Sequence, residues 1–288
     1  MKKTIKENIR SIGYLRWPRS FIRDQIGFSL VELLVAVLLG GIITAAALAV
    51  YMTQHNQWIV QDEIADMQAN ARAAIDEMAT RIGMAGYRVP EGVPAIRASN
   101  SNPDTILVLT DSNALTGVKL EQAMSTPSSE LRCTGYNLDG LNDGDWALIY
   151  DPATKTGEFF LVSSVNRSTS YIYHATMPLS RVYSIGSQVL KLNEYQYFLS
   201  AADSNHTNLM LQISGQAPQV FAENITNLNF TYVLDSGQTV DLPADASDIR
   251  EVLISVDAIT GRPDVDLNNQ YRTRTLTTRV KVRNLGLN

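Results

Sequence analysis

The residues with the clearest chemical consequence lie near the amino terminus. Glu32 is the one charged side chain in the 25-residue run from Phe28 to Met52. A carboxylate inside such a segment costs about 2.5–3.5 kcal/mol even on lenient insertion scales, so it requires a partner or a function. A cut between Gly27 and Phe28 would create the partner. The new α-amino group at Phe28 would lie four residues before Glu32, about one helical turn away, or within reach of the same carboxylate on an adjacent copy displaced along the helix axis. The chemistry offered by Gly27, Phe28 and Glu32 is thus processing followed by ion pairing.

An element must position these groups. At ~1.5 Å per residue a helix over residues 28–52 is roughly 38 Å long, enough to cross a ~30 Å hydrocarbon layer with some tilt. Beyond it, Ile64, Met67, Ala71, Ile75, Met78 and Ile82 recur at helical spacing and form one apolar stripe, while Glu77 and Arg81 make a favourable i, i+4 pair. No proline occurs between Gly27 and Val89. One helix from Phe28 to about Gly83 is expected, its first half (28–52) in lipid or in a filament core and its second half (53–83) amphipathic. Gly40 and Gly41 are its weak points, each costing about 1 kcal/mol relative to alanine. They suit either a helix that extends or unwinds on leaving the bilayer, or close helix packing.

The hexapeptide Gly27-Phe28-Ser29-Leu30-Val31-Glu32 resembles the processing site of the type IV pilin superfamily: a glycine, a phenylalanine, three residues, then glutamate, opening a long apolar helix. The resemblance implies a leader over residues 1–27, removed by a prepilin peptidase that methylates the Phe28 amine, and a role for Glu32 in drawing the subunit into a growing filament. A plain signal anchor over residues 28–52 is the alternative. An ordinary secretory signal fits poorly, because the apolar run follows the proposed cut and exceeds the length of such a region.

Charge is divided unevenly. Residues 1–27 carry seven basic and two acidic side chains, a net +5, against −5 for the whole 288-residue chain, so the remainder is −10. A basic segment before an apolar span predicts a cytoplasmic amino terminus. The acidic body is a poor nucleic-acid binder. Cys133 is the single cysteine and excludes an intrachain disulfide. A small apolar role in a core or turn is expected for it.

Residues 84–288 read as a β-rich head. Candidate strands are Thr105–Thr110, Trp146–Tyr150, Glu158–Val165, Tyr171–Ala175, Val189–Leu199, Asn208–Ile213, Leu228–Leu234, Ile249–Asp257 and Thr273–Arg283, rich in Val, Ile, Tyr, Phe and Thr. A sheet laid on the helix stripe is an α+β fold. Two further segments sharpen the resemblance. Arg81-Ile82-Gly83-Met84-Ala85-Gly86-Tyr87 is similar to the helix-ending motif of PilW-type minor pilins, and the closing strand pair finishing in Arg283-Asn284 is similar to their carboxyl end. Many relatives carry a cysteine after the first motif, where this chain has Val89 and Pro90.

Other candidate sites fail on spacing. Asp139, Asp143 and Asp145 approach a calcium loop but place Tyr150 where a bidentate glutamate belongs. The loop from Asp264 lacks the required glycine and glutamate. Solvated turns are expected at both. His55, His174 and His206 are far apart, and no nucleophile elbow, phosphate loop or His-Glu-x-x-His is present. The reading is a non-enzymatic filament subunit without a cofactor, inserted in the inner membrane before assembly and later extracellular. By resemblance its partners are the prepilin peptidase, an inner-membrane assembly platform, the major pilin, other minor pilins and a tip adhesin-like protein. A type II secretion pseudopilin and an uncleaved membrane-anchored surface binder or enzyme are the alternatives.

Overall fold

The computed structural model describes residues 27–112, 114–174, 178–203 and 206–285. The leader reading thus falls, apart from Gly27, outside the described residues. So does Ala175, the expected end of one strand.

Helix α1 spans Leu30–Gly83. It starts two residues later than expected because Ser29 forms its amino-terminal cap. The chain divides into two compact units, residues 1–57 and 58–288. In the first, every described residue is exposed. In the described residues this helix is long and apolar enough for one membrane crossing.

The second unit contains the rest of α1 and the β-rich domain on which it packs. Its strands are β1 (Ile96–Ser99), β2 (Thr105–Asp111), β3 (Leu131–Arg132), β4 (Trp146–Asp151), β5 (Thr156–Leu161), β6 (Ser164–Asn166), β7 (Tyr171–Tyr173) and β8 (Gln188–Leu190). They continue as β9 (Leu192–Ala201), β10 (Thr207–Ile213), β11 (Gln219–Ala222), β12 (Ile225–Leu234), β13 (Thr239–Val240), β14 (Ile249–Ile259) and β15 (Thr273–Lys281). Two antiparallel sheets, in the orders β1-β2-β9-β10-β11 and β13-β12-β14-β15, supply one core with the helix. The stripe enters as expected: Met67, Ala71, Ile75, Met78 and Ile82 are buried, Ala74 joins them, and Ile64 packs at the edge. Strand alternation supplies the other side, with Val252, Ile254 and Val256 from β14 and Tyr195 and Tyr197 from β9 turned inward. The fold is α+β, one long amino-terminal apolar helix packed against a carboxyl-terminal β-rich domain.

Between β2 and β9 the chain leaves the sheet and builds a second lobe. Its neck is closed where the Ser112 N–H and hydroxyl both donate to the Lys191 carbonyl, at 3.0 and 2.5 Å. Two three-stranded sheets, β5-β4-β8 and β3-β7-β6, enclose its core around Leu120, Leu131, Ile149, Phe160 and Ile172. Cys133 is buried there, and burial, with a smaller contribution from Glu121, pushes its thiol up to about 12.

The lobe explains where the expected strands divide. The run Val189–Leu199 is two strands, β8 and β9, because Lys191 sits at the neck and the chain passes there from one sheet to another. The run Glu158–Val165 is β5 and β6. The Val162 N–H still bonds to Asp145 beside β4, whereas the Ser163 N–H bonds to Tyr173 of β7. The strands absent from the sequence reading are β1, β3, β11 and β13, each a sheet edge of four residues or fewer. Their neighbours' backbone groups hold them, with too few residues for an apolar pattern of their own.

Candidate functional site

The amino-terminal groups are organised by the helix cap. The Glu32 N–H donates to the Ser29 hydroxyl at 3.2 Å, and the Ser29 N–H donates to the Glu32 carboxylate at 3.1 Å. The first helical bond, from the Leu33 N–H to the Ser29 carbonyl, measures 3.1 Å. These reciprocal bonds form a capping box, which satisfies two amide donors left over at a helix start. Phe28 therefore precedes the cap and is 87% exposed. Glu32 also faces the positive end of the helix dipole, a favourable place for an anion. The Ser29-x-x-Glu32 spacing is the sequence signal that announces this cap, and it is independent of the cost of burying Glu32.

Downstream, α1 runs through Gly40 and Gly41 without a break. The Thr44 hydroxyl donates to the Gly40 carbonyl at 2.7 Å, a local bond that also saturates the hydroxyl in an apolar setting. A Cβ on either glycine would meet nothing within 4 Å.

This geometry coincides with a recognisable sequence element. The prokaryotic N-terminal methylation motif matches residues 22–48. That motif, followed by an apolar helix packed on a β-rich domain, is consistent with the general pilin-like superfamily. No curated protein and no solved structure matches the chain significantly.

At the far end of the helix, the two segments singled out in the head meet. Gly86 has φ +80°, the left-handed geometry that favours glycine, and its N–H donates to the Leu109 carbonyl at 3.0 Å. The Asn284 side-chain amide donates to the Met84 and Ala85 carbonyls, both at 3.3 Å. The next residue of the turn, Tyr87, accepts the Asp111 N–H at 2.9 Å. Segments some 200 residues apart in sequence thus close one joint: helix end, β2 and the chain's carboxyl-terminal stretch. The Arg81–Glu77 pair lies just before it, with Arg81 Nε 2.8 Å from Glu77 Oε1 and its guanidinium 4.3 Å from the Tyr195 ring centre. Tyr197 donates its hydroxyl to the same Glu77 oxygen at 3.3 Å.

The acidic loops are engaged by the protein itself. Asp145 pairs with Lys191 at 2.6 Å and caps the Asn142 N–H, Asp143 accepts from the Val165 N–H, and Asp139 lies 3.7 Å from Arg167. In the β14–β15 connection Asp264 is buried, pairs with Arg272 at 2.5 Å and accepts the Asp266 N–H. The hydrogen bond to the Asp266 backbone, with the Arg272 guanidinium, holds the Asp264 carboxyl below the usual range despite its burial. Among the described residues no group of three or more His, Cys, Asp or Glu side chains has a metal-binding arrangement.

Proposed function

We propose that this chain is a minor pilin of the PilW type, cut after Gly27, methylated at Phe28 and incorporated near the tip of a type IV pilus, where it initiates assembly and supports motility or adhesion. The observation that carries the reading is Glu32: a lone carboxylate at the first turn of an exposed apolar helix, inside the matched methylation motif. Processing converts the peptide N–H of Phe28 into a charged amine. A neighbouring subunit displaced along the helix axis can then offer that amine to Glu32 in surroundings of low dielectric, where the pair is far stronger than in water. The mechanism is assembly and not catalysis. Residues 28–52 hold the precursor in the inner membrane and later pack in the filament core, with Gly40 and Gly41 permitting extension or close approach.

The second lobe supports a tip position. It enlarges the head beyond the helix and two sheets, and a bulky face is best tolerated where no further subunit stacks on it. Partners on this reading are the prepilin peptidase, the inner-membrane assembly platform, the major pilin, other minor pilins and a tip adhesin-like protein. Intact-mass measurement of the chain from sheared filaments tests the proposal. The expected mass lacks residues 1–27 and carries one methyl group on Phe28. An unprocessed chain in cells possessing the peptidase overturns it, and co-purification with secretion-system subunits in place of pilus subunits reassigns it to a pseudopilus.

A further inference from the structure

A cavity of about 340 Å³ lies between the outer face of the five-stranded sheet and the second lobe, lined by Arg97, Trp146, Phe159, Glu194, Gln196 and Gln212 with the Ser214-Gly215 turn. Strand register explains its composition. Arg97 on β1 lies opposite Leu107 on β2, Leu107 opposite Gln196 on β9, and Gln196 opposite Gln212 on β10, so these residues form one row across four strands. Glu194 is two residues along β9 on the same face, opposite Leu109. The alternate residues Tyr195 and Tyr197 belong to the helix-facing core, so the row faces away from it. From the lobe, β4 contributes Trp146, 39% exposed, and β5 contributes Phe159, whose ring lies 5.5 Å from the Arg97 guanidinium carbon.

Apart from the contact of Arg97 with Phe159, the polar groups here are left to the cavity. Among the described residues the side chains of Glu194, Gln196 and Gln212 carry no hydrogen bond or ion pair in the structure, and Arg97 pairs with no carboxylate. An exposed aromatic platform beside two amides, a carboxylate and a guanidinium presents apolar faces together with planar groups able to pair with two adjacent hydroxyls each. A pyranose has the complementary form: one face of C–H groups and a rim of hydroxyls. We infer that this cavity is a saccharide-binding site, with Trp146 stacking on a sugar ring and Glu194, Gln196, Gln212 and Arg97 bonding its hydroxyls. The size fits the small-ligand range, and its convergent polar groups supply orientation. This inference does not rest on the pilin reading.

Saturation-transfer NMR on the full chain in a sugar-free detergent tests it, using cellobiose, lactose and N,N′-diacetylchitobiose as probes. At least one disaccharide should show saturable transfer, concentrated on the C–H protons of one ring face, with a Kd on the order of 1 mM. Trp146→Ala should weaken binding by about tenfold or more, as expected for an aromatic anchor. Glu194→Gln should weaken it less and leave the ring-face pattern intact. Trp146 and Glu194 both lie at the surface of the cavity, so circular dichroism should be unchanged. No transfer from any of the three sugars overturns the inference. So does transfer that survives Trp146→Ala, or a Trp146-dependent signal from glycylglycine with none from the sugars.

Discussion

Helix capping by Glu32 and its proposed charge pairing can be separated by a single atom exchange. Glutamine retains an oxygen able to accept the Ser29 N–H at the observed 3.1 Å, so Glu32→Gln keeps the capping box but removes the charge. Ser29→Ala does the converse, deleting the hydroxyl that accepts the Glu32 N–H at 3.2 Å while leaving the carboxylate. Losing a cap side chain costs about 0.5–2 kcal/mol of helix stability. Leaving a neighbour's amine buried without its anion costs about 3–5 kcal/mol, equivalent to roughly 10²- to 10³-fold or more in the incorporation equilibrium. Bilayer insertion runs the other way, because removing the charge relieves about 2.5–3.5 kcal/mol. Glu32→Gln and Glu32→Ala subunits should therefore be retained in the inner membrane and be nearly absent from sheared filaments, while Ser29→Ala subunits stay within about tenfold of the parent. Quantitative immunoblots of membrane and filament fractions, normalised to processed subunit, provide the measurement. Filaments containing Glu32→Gln at parental levels would refute the charge-pairing argument and leave Glu32 as a helix cap.

Three other outcomes are expected. Gly86→Ala places a Cβ 3.0 Å from Leu285 and 3.1 Å from the Asn284 carbonyl at a positive φ, and should lower stability by about 1–3 kcal/mol in thermal melts, while Gly83→Ala, whose Cβ would meet Val280 at an ordinary 3.7 Å, should cost less. The Cys133 thiol should resist labelling at pH 8 in the native protein and react once unfolded; since its folded pKa is raised from 9.0 to about 12, its contribution to stability is complete below about pH 9 and is lost as pH rises toward 12, so denaturant midpoints of the parent should fall more than those of Cys133→Ala between pH 8 and 11. Gly40→Ala with Gly41→Ala introduces no clash within the chain and should stabilise the helix by about 1 kcal/mol per site, seen as higher helicity in micelles, yet reduce filament incorporation; undiminished incorporation would remove the proposed role of both glycines.

The helix and its packing face were legible because one period repeats over many residues. From Ile64 to Ile82 the apolar positions alone determine which side is buried, and Ala74, beside Ile75 on the flank of the stripe, is the buried helix residue outside that spacing. Long central strands such as β12 and β14 could be read for the same reason. The long-range partner of β2 could not: β2 pairs with β9 across the whole lobe, and nothing local marks Ser112 and Lys191 as the neck. A strand-like run such as Val189–Leu199, rich in Val, Leu, Tyr and Phe, says that the chain is extended, not that it changes sheets midway. The saccharide cavity was invisible for a related reason. Arg97, Trp146, Glu194 and Gln212 come from four strands and acquire a common purpose only through register.

The position of the lobe has a further consequence. The core shared with the helix is assembled from α1, the two larger sheets and the carboxyl-terminal stretch, and Asn284 ties that stretch to the helix end. The lobe joins at the opposite face of the five-stranded sheet, through a small separate cluster that includes Leu109, Leu148, Tyr150 and Leu192. A chain insertion there adds surface without replacing a residue that contacts the stripe, and its long loop costs little extra closure entropy once Ser112 and Lys191 are bonded. Substitutions that remodel Trp146 or Phe159 can accordingly alter what the head binds while Met78, Ile82 and Gly86 continue to fix the helix to its sheets. The proposed saccharide site and the helix-packing core are physically separable in this fold because they draw on opposite faces of one sheet.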